Sequence, residues 1–164
     1  MNYLVTSDMT PTPNLQRPSI LIVDDSHATT RGLSHLFKDA GFEPTTFNEG
    51  LLALEHARDH HPAAAVIDIH LPDISGLILS QRLRELMGPT APIVVLSGDA
   101  SMEVLNSLPH VGATYFFRKP VAGVMLLEHF KELLAQEAAT RGPGHNPRPS
   151  GSTPLTTGGP PLNG

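Results

Sequence analysis

Four short apolar runs punctuate the chain, and each ends on polar residues. Ile20-Leu-Ile-Val23 leads into Asp24-Asp25, and Ala64-Ala-Val-Ile67 leads into Asp68. Ile93-Val-Val-Leu96 leads into Ser97-Gly98, and Thr114-Tyr-Phe-Phe117 leads into Arg118-Lys119-Pro120. Runs this short and continuous, rich in β-branched and aromatic residues, predict strands whose two faces are both covered by helices. A weaker strand is predicted over 43–47. Its Pro44 suits a sheet edge, because proline cannot donate to the hydrogen-bond ladder.

Between these runs the apolar spacing changes to a helical period. Leu33, Leu36, Phe37 and Ala40 follow an i, i+3, i+4, i+7 pattern, with Ser26 placed to cap the helix and Gly41 to stop it. Further helices are predicted over 51–59, over 76–87 with Leu77, Leu79, Leu83 and Leu86, over 100–108 with weak patterning, and over 121–139. The last carries Val124, Leu127, Phe130 and Leu134 on one face. Five β-α units in succession predict an α/β fold of the flavodoxin-like kind: a doubly wound (βα)5 three-layer sandwich around a parallel sheet of order 2-1-3-4-5.

Composition brackets this core. Residues 1–17 are read as a flexible extension, 18–139 as the one folded domain, and 140–164 as a disordered tail rich in proline and glycine, with too few apolar side chains to repay the entropy of ordering. No second folded unit is expected to follow. A net charge of −5 over 164 residues, without any basic run, argues against a nucleic-acid surface. The absence of cysteine excludes disulfides, thiolate metal sites and a cysteine nucleophile. There is no signal-like N-terminus and no apolar stretch of spanning length, so no membrane insertion and a cytoplasmic location are expected.

Candidate chemistry sits at the predicted strand ends. In doubly wound sheets, ligands bind beyond the carboxyl ends of the strands, where the strand order reverses. Order 2-1-3-4-5 makes the first and third strands neighbours and gathers Asp24, Asp25 and Asp68. Three carboxylates so close repel one another, and a divalent cation with oxygen ligands relieves them. Magnesium suits such a set, because it takes a few carboxylates and keeps waters and phosphate oxygens in its shell. A carboxylate beside it can attack phosphorus and form an acyl phosphate, with Lys119 and Ser97 contacting the phosphoryl oxygens. Taken singly, these residues are ordinary: Asp24-Asp25 would pass for a helix-entry turn, Ser97 for a strand-terminal hydroxyl and Lys119-Pro120 for a loop. Their co-occurrence carries the reading. Nine histidines invite a metal site, but His56, His60 and His61 at a helix end are read as a solvated terminus rather than a zinc site.

The set resembles the receiver domains of two-component response regulators, of the CheY-like superfamily, over roughly 18–138. The resemblance rests on Ile20-Leu-Ile-Val-Asp-Asp-Ser26 with Arg31, on Asn48 with Ala53-Leu54, and on Asp68-Ile-His-Leu-Pro-Asp-Ile-Ser-Gly76. It continues in Pro92-Ile-Val-Val-Leu-Ser-Gly98 and in Gly112-Ala113 through Lys119-Pro120. It implies that Asp68 is the phosphoacceptor, with a histidine kinase or histidine phosphotransfer protein as donor. It also implies that Asp25, Asp68 and the backbone carbonyl of His70 bind Mg2+, with Asp24 acting through water, and that the Lys119–Pro120 bond is cis. By the same likeness Ser97 and Phe116 form a switch: phosphate draws the Ser97 hydroxyl inward, and Phe116 rotates into the vacated space. An aromatic at a strand end is also an ordinary core residue, so Phe116 stands open between the two roles. His70 and Asp99 are placed to tune phosphate lifetime. The chain is then a switch rather than an enzyme, acting by protein contact on a downstream target, with the fourth helix, fifth strand and fifth helix as a surface for output or homodimerisation. Two rivals are a degenerate receiver acting as a constitutive scaffold and an aspartyl-nucleophile phosphatase. The phosphatase pattern wants a second Asp where this chain has His70.

Overall fold

The computed structural model describes residues 16–98 and 115–141, together with Asn106, His110 and Ala113. The expected helix over 100–108, Asp99, Thr114 at the head of the fifth strand, and most of both tails lie outside the described residues. Within them the chain alternates strand and helix: β1 (Ser19–Val23), α1 (His27–Asp39), β2 (Glu43–Phe47), α2 (Gly50–His60), β3 (Ala64–Asp68), α3 (Gly76–Met87), β4 (Ile93–Ser97), β5 (Tyr115–Arg118) and α4 (Gly123–Arg141). The strands form one parallel sheet in the order β2-β1-β3-β4-β5. This is the predicted order, with Pro44 on the edge strand β2.

Alternation along the buried strands divides the core into two layers. Ile20, Ile22, Ala64, Val66, Val94 and Leu96 face Leu33 and Phe37 of α1 and Leu126 and Phe130 of α4. The opposite face sets Leu21, Val23, Ala65, Ile67 and Ile93 against Ala53, Leu54 and Ala57 of α2 and Leu79 and Leu83 of α3. Phe37 anchors the first layer by edge contacts to Phe42 and Phe130, with centroids 5.2 and 5.6 Å away.

Local signals set the element ends. The Ser26 hydroxyl accepts the Thr29 N–H and opens α1, and Gly41, at φ 91°, turns the chain away after it. One expected face needs correction. Val124 is 61% exposed, whereas Leu126 and Leu133 are buried beside Leu127 and Phe130. The helix starts at Gly123 rather than 121, and the core layer takes Leu127, Phe130 and the partly buried Leu134 as expected, with Leu126 in place of Val124. It also runs to Arg141, two residues into the stretch assigned to the tail.

Candidate functional site

The carboxyl ends of β1 and β3 lie side by side, and the acidic residues meet there. Asp24 and Asp25 follow directly on β1, and Asp68 is the last residue of β3. One oxygen from each of the three carboxylates lies within 4.8 Å of the others. Asp24 and Asp68 are buried and Asp25 is exposed, so the cluster opens to solvent on one side.

Asp24 is fixed from three directions. Its Oδ1 accepts the Ser26 N–H at 2.9 Å, its carbonyl accepts the Asn48 amide at 2.7 Å, and its own N–H donates to the Phe47 carbonyl at 3.2 Å. Lys119 enters from the far side of the sheet. Its Nζ stands 2.6 Å from Asp24 Oδ2 and 3.4 Å from Asp68 Oδ2. Its backbone N–H donates to the Ser97 carbonyl at 2.8 Å, and the Lys119–Pro120 peptide is cis.

The electrostatics follow from this packing. Burial raises the pKa of Asp68 above the ordinary carboxylate value, and the Asp24 charge adds to the rise; Lys119 and the His70 backbone N–H pull against it without cancelling it. Burial alone would lower the pKa of Lys119, but its hydrogen bond to Asp24 and the charges of both carboxylates win and raise it. The lysine therefore stays a cation, and its one positive charge is shared by the two buried acids, Asp24 and Asp68.

The remaining expected residues are placed as follows. Ser97 ends β4, fully buried and one position past Leu96, the register partner of Asp68. His70 is exposed in the loop after β3. Phe116 is half-buried opposite Val95, while its neighbour Phe117 packs on the α1 and α4 layer. The rings of His56 and His60 stack face to face at 4.0 Å, a geometry that keeps their in-plane nitrogen lone pairs from converging on one ion.

Two residues of this site carry a role that was not read from the sequence. A Cβ on Gly76 would lie 2.1 Å from the Asp68 carbonyl oxygen, so only glycine lets the loop 69–75 close back onto the acidic strand end. Asp73, in that loop, accepts the N–H groups of Gly50 and Leu51 at 2.8 and 2.6 Å and supplies the cap that Glu49 lacks at the start of α2. The absence of a capping side chain at Glu49 was the available signal.

The comparisons decide the family. The model of the response regulator receiver domain matches residues 20–131. The chain belongs to the response regulator receiver domain family. A CheY-like receiver domain protein from Methanospirillum hungatei JF-1 superposes with a TM-score of 0.70 at 30% identity, over 75% of this chain and 98% of that one. The transcriptional regulatory protein PrrA of Mycobacterium leprae is 32% identical over 123 residues, which are 75% of this chain and 52% of PrrA. The sensory/regulatory protein RpfC of Xanthomonas campestris pv. campestris is 29% identical over 117 residues, 70% of this chain and 16% of RpfC. The receiver thus spans about half or less of these curated relatives' lengths. Among the described residues, no helix is long and apolar enough to cross a membrane.

Proposed function

We propose that this receiver accepts a phosphoryl group on Asp68 from a histidine kinase or histidine phosphotransfer protein and passes the signal on by protein contact. The observation that carries the reading is the meeting of Asp24, Asp25 and Asp68 at one corner, with the Lys119 ammonium against Asp24 and Asp68. An all-oxygen, carboxylate-rich set open on one side fits Mg2+, with Asp25, Asp68 and the His70 carbonyl as direct ligands and Asp24 acting through water. When bound, Mg2+ supplies charge neutralisation for the incoming phosphoryl oxygens.

The protein's own residues do the rest. An Asp68 carboxylate oxygen forms the new bond to phosphorus as the bond from phosphorus to the donor's imidazole nitrogen breaks. The electron pair leaves with the imidazole, which takes up a proton. Lys119, held by Asp24, offers its ammonium to one phosphoryl oxygen, and the Ser97 hydroxyl contacts another. This is positioning and charge stabilisation, which is most of what phosphoryl transfer asks of a protein. Drawing Ser97 inward opens space for Phe116 to turn inward from its half-buried place, and the surface of β5 and α4 changes for a downstream partner or a second copy. His70, two residues past Asp68, and Asp99, two past Ser97 in the sequence and outside the described residues, are the positions proposed to tune its lifetime.

The test is incubation of the full chain with acetyl phosphate and Mg2+, followed by intact mass measurement. A gain of one phosphoryl group in the wild type and none in Asp68→Ala is expected. No gain in the wild type from acetyl phosphate, phosphoramidate or a phosphorylated transfer protein would leave a phosphorylation-independent scaffold as the better account.

A further inference from the structure

Residues 69–75 connect the acidic end of β3 to α3 and include His70. Gly76 fixes the far end of this loop: its N–H donates to the Ile69 carbonyl at 2.8 Å, and its bare Cα passes under the Asp68 carbonyl. The middle of the loop is held differently. Leu71 and Ile74 lie against Gly50, where an added Cβ would come within 2.7 Å of Ile74 Cγ1 and 3.2 Å of Leu71 Cδ1. The Asp73 carboxylate then divides its two oxygens between the first two N–H groups of α2. Among the described residues, Asp73 is the member of 70–74 that hydrogen-bonds to α2, while the His70 N–H turns back to Asp68 of β3. On its other side, α2 follows Asn48, whose amide holds the Asp24 carbonyl. One short connection thus links the His70 loop, the start of α2 and the backbone of the first acid.

We propose that Asp73 is a positioning residue for the metal- and phosphoryl-binding site. By gripping the Gly50 and Leu51 N–H groups, it holds the His70 loop against α2 and keeps the oxygen ligands of the site organised before the cation arrives. The inference rests on the receiver reading above. It differs from simple helix capping, because a cap can be made locally at Glu49, whereas the tie between the loop and α2 needs a side chain from the loop. Groups that orient metal ligands typically change metal affinity about 10- to 100-fold when removed.

The experiment separates these two roles. Mg2+ affinity by calorimetry, thermal unfolding, and hydrogen exchange of the loop amides in metal-free protein are measured for four full-length chains. These are the wild type, Asp73→Ala, Asp73→Asn and the double variant Asp73→Ala with Glu49→Ser. Asp73→Ala is expected to bind Mg2+ about tenfold more weakly and to exchange its loop amides faster without metal. Asp73→Asn keeps one acceptor and should fall between it and the wild type, which also serves if the alanine variant folds poorly. The serine at 49 places a hydroxyl where it can cap α2, so the double variant should recover unfolding temperature but not Mg2+ affinity. Wild-type affinity and exchange in Asp73→Ala, or full recovery of both in the double variant, would overturn the proposal. A wild type that does not bind Mg2+ at all would instead overturn the phosphoacceptor function proposed above.

Discussion

Asp68 meets two opposed demands. The folded protein buries it, yet the proposed chemistry needs it ionised. Because its pKa is raised on folding, the native protein keeps this proton at pH values where the unfolded chain, near its ordinary 3.8, has released it. The stability linked to this group is therefore fully present below pH 3.8 and is lost as pH rises through the higher folded value. Asp68→Asn removes that loss. In metal-free buffer it should melt at about the wild-type temperature near pH 3.5 and above it at pH 7, as followed by circular dichroism. Saturating Mg2+ should narrow the gap by stabilising the wild type. A wild type that gains on Asp68→Asn as pH rises would contradict the assigned burial. Gly76 is the second residue whose identity the geometry dictates. Gly76→Ala forces a methyl into the Asp68 carbonyl, and because the atoms it meets are backbone of Asp68 and Ile69, no side-chain rotation relieves it. A loss of about 3 kcal/mol in urea unfolding is expected. A loss below 0.5 kcal/mol would show that the loop yields.

At the scale of elements, the sequence was most legible where one period ran without competition. β1, β3 and β4 are buried on both faces and read as continuous apolar runs; α1 carries its cap, its stripe and its stop in plain view. The C-terminal helix was harder, because apolar residues at Val124, Met125, Leu126 and Leu127 stand side by side and do not by themselves say which of them face inward. The sheet chooses Leu126, Leu127 and Phe130 and leaves Val124 and Met125 at 61% and 65% exposure. This choice is testable. Phe130→Ala should cost about 3–5 kcal/mol in denaturant unfolding, and Val124→Ala less than about 0.5 kcal/mol. Comparable losses would show Val124 packed in the core as well, contrary to its exposure. The cap of α2 was illegible for a different reason: its partner, Asp73, is 23 positions away from Gly50. Contacts of that kind follow from the tertiary path of a loop, which no local spacing reveals.

At the scale of the molecule, topology makes the site. The order β2-β1-β3-β4-β5 brings the ends of β1 and β3 together, although Asp25 and Asp68 are 43 positions apart in the sequence, and carries Lys119, 95 positions from Asp24, across to the same corner. The acids and the lysine were legible because each stands immediately after an apolar strand, so that predicting the sheet placed them. What the strands could not give was the electrostatic arrangement: Lys119 sits closer to Asp24 than to Asp68, so its charge offsets Asp24 more strongly than Asp68. On the proposed reading, that asymmetry favours Asp68 over Asp24 as the nucleophile. The most direct measurement is to treat the protein with acetyl phosphate and Mg2+, reduce it with borohydride and map the product by peptide mass spectrometry. Reduction converts an aspartyl phosphate to homoserine, and the account predicts homoserine at position 68 alone. Homoserine at position 24 or 25 with Asp68 intact would contradict it.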